Sequence, residues 1–400
     1  MSSRTFKLRE LLRSDDSGDW GEAATEGNSL LILRAGNIAD ETWLDLDDVV
    51  YRAISEPKRS RLLLRAGDIL LERSGGTDTR PVGRVAYIDR DIEAGFSNFL
   101  HRLRVNREIA DPSYLRFVLA HWHRSGRALA LQTQTTGIRN LMFSRYLDEP
   151  IRLPALIIQR KVAAILEAAT ESLARTDALI AAKREQKRGL MQQLLTGKVR
   201  FPGFTEPWRT VRLEQVASLR NDKTIPSKES QIRCIELEHI EQGTGEVVGS
   251  APASSTVSSK TAFQPGDVLF GKLRPYLKKF ALVDFAGCCS TEIWALVTDQ
   301  SAVTPGYLRL LVESTPIQRS ANATSGTKMP RADWDVVAAT SVQLPSFSEQ
   351  SRITAIIGAI ESELRLLQQQ RTALATQRRG LMERLLSGDI ALPHSDTSAA

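Results

Sequence analysis

Along this chain, stretches of helical periodicity alternate with stretches of short apolar runs. Mostly apolar or small residues, with two lysines, recur in steps of four and three at Val162, Leu166, Ala169, Leu173, Thr176, Ile180, Lys183, Lys187, Leu190 and Leu194. The same spacing returns at Ile353, Ile357, Ile360, Leu364, Leu367, Arg371, Leu374, Arg378, Leu381 and Leu385. This pattern predicts a coiled-coil seam on each of two long helices. Gly197 and Gly388 stand where left-handed C-terminal caps belong, with Pro202 and Pro393 soon after. Ser346 and Glu349 predict a capping box at the start of the second helix. At 1.5 Å per residue each helix should be roughly 55 Å long.

Before and between these helices the pattern changes. Leu62-Leu63-Leu64, Ile69-Leu70-Leu71, Val268-Leu269-Phe270 and Ile293-Trp294-Ala295-Leu296 are short apolar runs bounded by Gly, Pro and Asp. They predict strands of mixed α/β domains.

The two halves repeat each other. Every seam position of the first helix returns 191 residues later, as do Arg188-Gly189-Leu190-Met191 (Arg379-Gly380-Leu381-Met382), Pro154 (Pro345) and Gln159 (Gln350). The strand-rich segments match sparsely but in order. Gly67-Asp68-Ile69-Leu70 answers Gly266-Asp267-Val268-Leu269, Tyr114-Leu115-Arg116 answers Tyr307-Leu308-Arg309, and Thr136-Gly137-Ile138-Arg139 answers Ser325-Gly326-Thr327-Lys328. Helices that match closely, beside domains that share only scaffold positions, imply two domains doing one kind of job on different targets.

Charge selects the helix pairing. In parallel register Lys187 would face Arg378, burying like charges together. In antiparallel register Ala169 faces Arg378, Thr176 faces Arg371, Lys183 faces Leu364 and Lys187 faces Ile360, so each cation can extend its head to water. The expected architecture is therefore α/β (α+β): two mixed α/β domains, residues 1–154 and 201–346, separated by an antiparallel coiled coil of two helices, with a pseudo-two-fold internal repeat; residues 155–200 hold the first helix, and residues 347–400 hold the second and a C-terminal tail.

Composition adds little to this. Hydrophobic residues make up 42% and charged residues 25%, ordinary values for a globular protein. The net charge of +6 is compatible with a nucleic-acid partner without demonstrating one. Cys234, Cys288 and Cys289 lack metal-ligand spacing, and the start of the chain does not read as a signal peptide, so a reduced cytoplasmic setting is expected. No apolar run approaches the ~20 residues that span a bilayer.

The segments from Gln186 to Gly197 and from Gln377 to Gly388, the stretch Ile235-Glu236-Leu237-Glu238-His239-Ile240 followed by Gly243 and Gly245, and a Gly-Asp strand start in each half carry a resemblance. The chain resembles, over nearly its whole length, the specificity subunit of a type I restriction–modification system. The resemblance implies that each α/β domain is a target recognition domain reading one half of a split double-stranded DNA sequence. It implies that the helices fix the gap and dock two modification subunits, which carry the S-adenosylmethionine-dependent adenine methyltransferase. Two restriction subunits would join that core, and the chain itself would be non-catalytic and hold no cofactor. A B-DNA turn is about 34 Å, so a ~55 Å rod can place two domains on successive grooves.

Basic residues mixed with Gly, Ser and Tyr follow each Gly-Asp strand. They are Arg73, Arg80 and Arg84 in the first domain, and Lys272, Arg274, Tyr276, Lys278 and Lys279 in the second. Such loops can reach phosphates, and Arg can read guanine in the major groove; a solvated hairpin turn is the plainer reading. Arg139 and Lys328, each two residues after a Gly, could approach a phosphate beside a backbone amide.

Enzyme motifs are weak. Asp111-Pro112-Ser113-Tyr114 is close to the Asp-Pro-Pro-Tyr motif of adenine methyltransferases but lacks its second proline, and reads better as a helix N-terminus. His121 and His123 point to different faces of that helix and lack partner ligands for a metal. The competing readings are a protein-binding scaffold without DNA specificity and a degenerate adenine methyltransferase.

Overall fold

The computed structural model of the chain describes residues 4–39, 43–135, 137–226, 232–252, 259–323 and 329–389. They divide into two units. One holds the described residues up to Thr176 and from Gln370 onward; the other holds Asp177–Gln369. The two long helices, Leu156–Leu194 and Phe347–Ser387, each contribute a part to both units.

The units share much of one strand plan. In the first, a four-stranded antiparallel sheet runs Leu12–Ser17, Leu100–Val105, Asp68–Glu72, Val85–Tyr87. In the second it runs Ala217–Leu219, Ile293–Thr298, Val268–Gly271, Phe280–Leu282. Each unit adds a mixed sheet with one parallel pair, Leu30–Leu33 with Ala94–Phe96 and Arg233–Ile235 with Gly287–Cys289. Each also has a two-stranded ribbon leading into a long helix, Arg4–Lys7 with Pro150–Leu153 and Arg209–Arg212 with Ser341–Leu344. The first unit carries a further three-stranded sheet in the order Gln132–Thr135, Ile138–Leu141, Ser74–Gly76.

The central strands are buried on both faces, which is why they read as unbroken apolar runs. Side chains alternate across a strand. Ile69 and Leu71 enter a core with Leu103, Tyr114, Leu115 and Trp122, while Leu70 enters another with Leu30, Ile32 and Phe96. Val268 and Phe270 divide from Leu269 in the same way.

The Gly-Asp motif opens each central strand by a defined device. Gly67 and Gly266 take positive φ, 94° and 92°, which favours glycine. The next residue is a buried aspartate. Asp68 accepts the Arg65 amide and both arms of the Arg104 guanidinium, at 2.8 Å each. Asp267 accepts the Gln264 amide and the Arg220 fork, at 2.6 and 2.9 Å.

The recurring Pro–Gln pair has an equally local cause. Gln159 donates to the carbonyls of Pro154 and Ile109 and accepts the Asp111 amide. Gln350 donates to those of Pro345 and Ala302 and accepts the Thr304 amide. Each glutamine ties a long helix to the residue capping a shorter one, Pro112–Arg124 or Pro305–Glu313.

Within each unit the long helices pair antiparallel. In the first, Val162 and Leu166 share a core with Met382 and Leu385, and further along Arg378 donates to Thr170 at 3.3 Å. In the second, Met191 and Leu194 share a core with Ile353 and Ile357, and Lys183 and Lys187 reach Glu363 and Glu361 at 2.6 and 2.8 Å. These pairs lie within one residue of the expected register, but the heads of two seam cations do not extend to water. Lys187 is buried because Glu313 and Glu361 supply acids beside it, and Arg378 is buried beside Thr170. Gly197 and Gly388 adopt the left-handed caps, with φ of 69° and 84°. The Ser346–Glu349 capping box does not form. The Glu349 carboxylate is occupied by the Arg200 guanidinium and the Trp208 indole, while Ser346 bonds Ser348.

Candidate nucleic-acid interface

The basic loops leave the two central strands at equivalent places and then diverge. In the second unit the chain runs from Gly271 to Phe280 through a tight turn. Arg274 (φ 52°) and Lys278 (φ 48°) flank the short 3-10 turn Pro275–Leu277, and among the described residues they are the only non-glycine residues with positive φ. Left-handed backbone costs an L-residue roughly 1–2 kcal/mol. It persists where surrounding bonds determine it, and such strain clusters at functional sites. The Arg274 amide donates to Pro330 O, the Gly243 amide to Lys278 O, and the Leu277 amide to Arg274 O; Pro275 is buried. Gly243 (φ 74°) belongs to the stretch that follows Ile240.

Held in this way, the turn presents Arg274, Tyr276 and Lys278 to solvent, and among the described residues none of these side chains has a hydrogen-bond or ion-pair partner. Two neighbouring cations are committed elsewhere. Lys279 turns inward and donates to Leu237 O at 2.6 Å and Ile240 O at 3.0 Å. Arg331 forks onto Glu292 at 2.9 and 3.0 Å, and that bond holds the Glu292 carboxyl below its ordinary range. Lys272 is half-buried with its backbone bonded to Glu292 and Ala332, and its charge adds to the same effect on Glu292.

In the first unit the corresponding loop is longer, from Arg73 to Arg84. The half-buried Arg73 guanidinium lies 5.9 Å from the Phe143 ring centroid. Arg80 is exposed, with one arm on Ala35 O at 3.2 Å. Arg84 is wholly engaged: it forks onto the buried Glu72 at 2.8 and 3.0 Å and donates to Ile38 O and Ala35 O at 2.7 and 2.8 Å. Arg139 reaches across to Asp78 at 2.8 Å. Lys328 lies outside the described residues.

The structure thus brings Arg274, Tyr276 and Lys278 together, and puts Arg80 on the equivalent loop of the other unit. It uses Lys279 and Arg84 as internal clasps. Sequence reading missed this because it aligned the loops forward from the Gly-Asp motif. Counted back from the return strands, Arg84 and Lys279 coincide.

The methyltransferase-like tetrapeptide serves as a cap. Asp111 accepts the Tyr114 amide at 2.9 Å, and Tyr114 is buried, so its ring has no face to offer a base. Burial lowers the pKa of both His121 and His123. Among the described residues there is no cluster of three His, Cys, Asp or Glu that could hold a metal, and no helix long and apolar enough to cross a membrane.

No protein-family model matches the chain. The type I restriction enzyme EcoDI specificity subunit of Escherichia coli is 26% identical over 156 residues, 38% of this chain and 34% of that protein, so the match spans about a third of this relative's length. The type I restriction enzyme MjaVIII specificity subunit of Methanocaldococcus jannaschii is 20% identical over 316 residues, 74% of each chain. The solved type I restriction–modification S subunit from M. genitalium superposes with a TM-score of 0.61 at 13% identity, covering 96% of both chains. In sequence the chain is similar to type I restriction enzyme specificity subunits, and it shares the fold of a type I restriction–modification S subunit.

Proposed function

We propose that the chain is the non-catalytic DNA-recognition subunit of a type I restriction–modification complex, acting in the cytoplasm. Residues 1–154 and 201–346 are its target recognition domains, each reading one half of a split double-stranded site. Residues 155–200 and the helix of residues 347–400, a segment that ends in a C-terminal tail, form the spacer that sets the gap and docks two modification subunits, joined by two restriction subunits.

One observation carries this reading. The two units share the strand order of the four-stranded antiparallel sheet, the Gly-Asp strand starts and the glutamine ties, yet their exposed basic loops differ in length and sequence. A common scaffold with divergent loops is what two readers of unlike half-sites require, since base contacts specify while the scaffold positions. Arg274, Tyr276, Lys278, Arg73 and Arg80 are the side chains we assign to DNA; Arg139 would join them on releasing Asp78, and Lys328 on the strength of its sequence alone. Arg84, Lys279 and Lys272 support those loops.

The test is methylation mapping. The chain is expressed with its neighbouring modification subunit in a host lacking adenine methylation, and the DNA is sequenced by a methyl-sensitive method. Methyladenine confined to one split motif with a fixed gap is expected. Two soluble, associated proteins that leave no motif would contradict the proposal.

A further inference from the structure

We infer that the strained turn of the second unit divides its labour: Arg274 reads a guanine edge in the major groove, and Lys278 holds the phosphate backbone. The inference rests on the DNA-recognition reading and assigns chemistry within it.

The two cations share backbone conformation and exposure but differ in mounting and in chemistry. Arg274 is fixed at its root. Leu273 bridges Arg331, the Arg274 amide bonds Pro330 O, and Arg331 is itself pinned by its fork onto Glu292. Reading a base with two parallel hydrogen bonds needs a side chain launched from a fixed point. Its planar fork matches the O6 and N7 acceptors of guanine. Glu292 is taken by Arg331, and among the described residues no side chain bonds the Arg274 donors. Lys278 stands at the far end of the turn, tied through its carbonyl to Gly243. Its ammonium is a point charge on a flexible stem, suited to a phosphate and unable to fork. The neighbouring Lys279 is consumed by the carbonyls of Leu237 and Ile240.

Strain supplies the discriminating variant. A glycine at 274 relieves the positive φ while removing the reader. A residue kept there for folding would be missed by the fold; a residue kept for DNA would not.

The experiment maps methylation by the wild-type chain, by R274G, R274K and K278A, each with the modification subunit. It also measures binding of the resulting complexes to a duplex bearing the wild-type motif across a salt series. R274G is expected to melt higher than wild type, yet to accept other bases at one guanine of the half-site read by the second unit. Discrimination there should fall by roughly tenfold to a hundredfold, with the other half-site unchanged. R274K should relax the same position. K278A should keep the motif, bind more weakly at every site, and lower the salt-dependence slope by about one. A strict wild-type motif in R274G, a half-site without guanine on either strand, or a motif altered by K278A overturns the inference alone. No split motif from the wild-type chain overturns the functional reading, and this inference with it.

Discussion

Arg84 and Lys279 hold the same post in their respective units. Each stands one residue before the strand that returns along the central strand, Val85–Tyr87 or Phe280–Leu282. Each sends its charge to two carbonyls three residues apart on a 3-10 turn, Ala35 and Ile38 or Leu237 and Ile240. Sequence identity is lost at this post, but a long cation remains. The turn's carbonyls point inward, and a buried carbonyl without a donor costs about 1–3 kcal/mol.

This clasp yields the first prediction. Lys279→Met should destabilise the second unit by about 2 kcal/mol, as read by chemical denaturation, and leave the methylated motif unchanged in the protein that folds. A variant of full stability with an altered motif would place Lys279 on DNA instead.

Lys187 yields the second. It meets Glu313 at 2.5 Å and Glu361 at 2.8 Å, and Arg309 pairs with the same two acids. Removing one partner of a buried pair costs about 3–5 kcal/mol, so Lys187→Met should lose several kcal/mol at neutral pH. Burial pushes the Glu313 carboxyl above its ordinary 4.5, against the pull of Lys187 and Arg309. A raised folded-state pKa means that the penalty on the charged form is absent below the unfolded value and grows as pH rises towards the folded one. Lys187→Met, which removes the chief opposing cation, should therefore be less destabilised at pH 5 than at pH 7.5. Melts with equal losses at both pH values would contradict this.

The glutamine ties yield the third. Gln350→Ala breaks bonds to Thr304, Ala302 and Pro345. About 1 kcal/mol per bond predicts a loss near 3 kcal/mol, and hydrogen exchange should localise the loosening to the second unit. Gln159→Ala should do the same in the first. Loosening spread evenly over both units by either variant would refute the assignment.

Helix pairing yields the fourth. Cysteines replacing Ala169 and Arg378, or Lys187 and Ile360, should form an intrachain disulfide under mild oxidation, since Arg378 bonds Thr170 and Lys187 bonds Glu361 next door. Failure of both pairs to close, with native helix content, would sink the antiparallel register.

Much of this molecule was legible in its sequence. A seam repeated at a constant offset needs only periodicity to be seen, and the charges of Lys187 and Arg378 sufficed to choose antiparallel pairing. The fate of those charges was hidden, because Glu313 comes from a different helix. Glu349 misled for the same reason: a capping box is local chemistry, and Arg200 and Trp208, far away in sequence, outcompete it. In the basic loops, residue type could not separate Lys278 from Lys279. One faces solvent and the next faces two carbonyls, a difference set by the left-handed backbone at Lys278. Arg139 and Arg84 likewise read as available cations until Asp78 and Glu72 are placed beside them.

The most direct test of the account replaces residues 207–345 with the corresponding segment of a type I restriction enzyme specificity subunit and maps methylation again. The account predicts a new sequence in one half of the motif, with the other half and the gap unchanged. Changes in both halves, or in neither, from a soluble and assembled complex would contradict it.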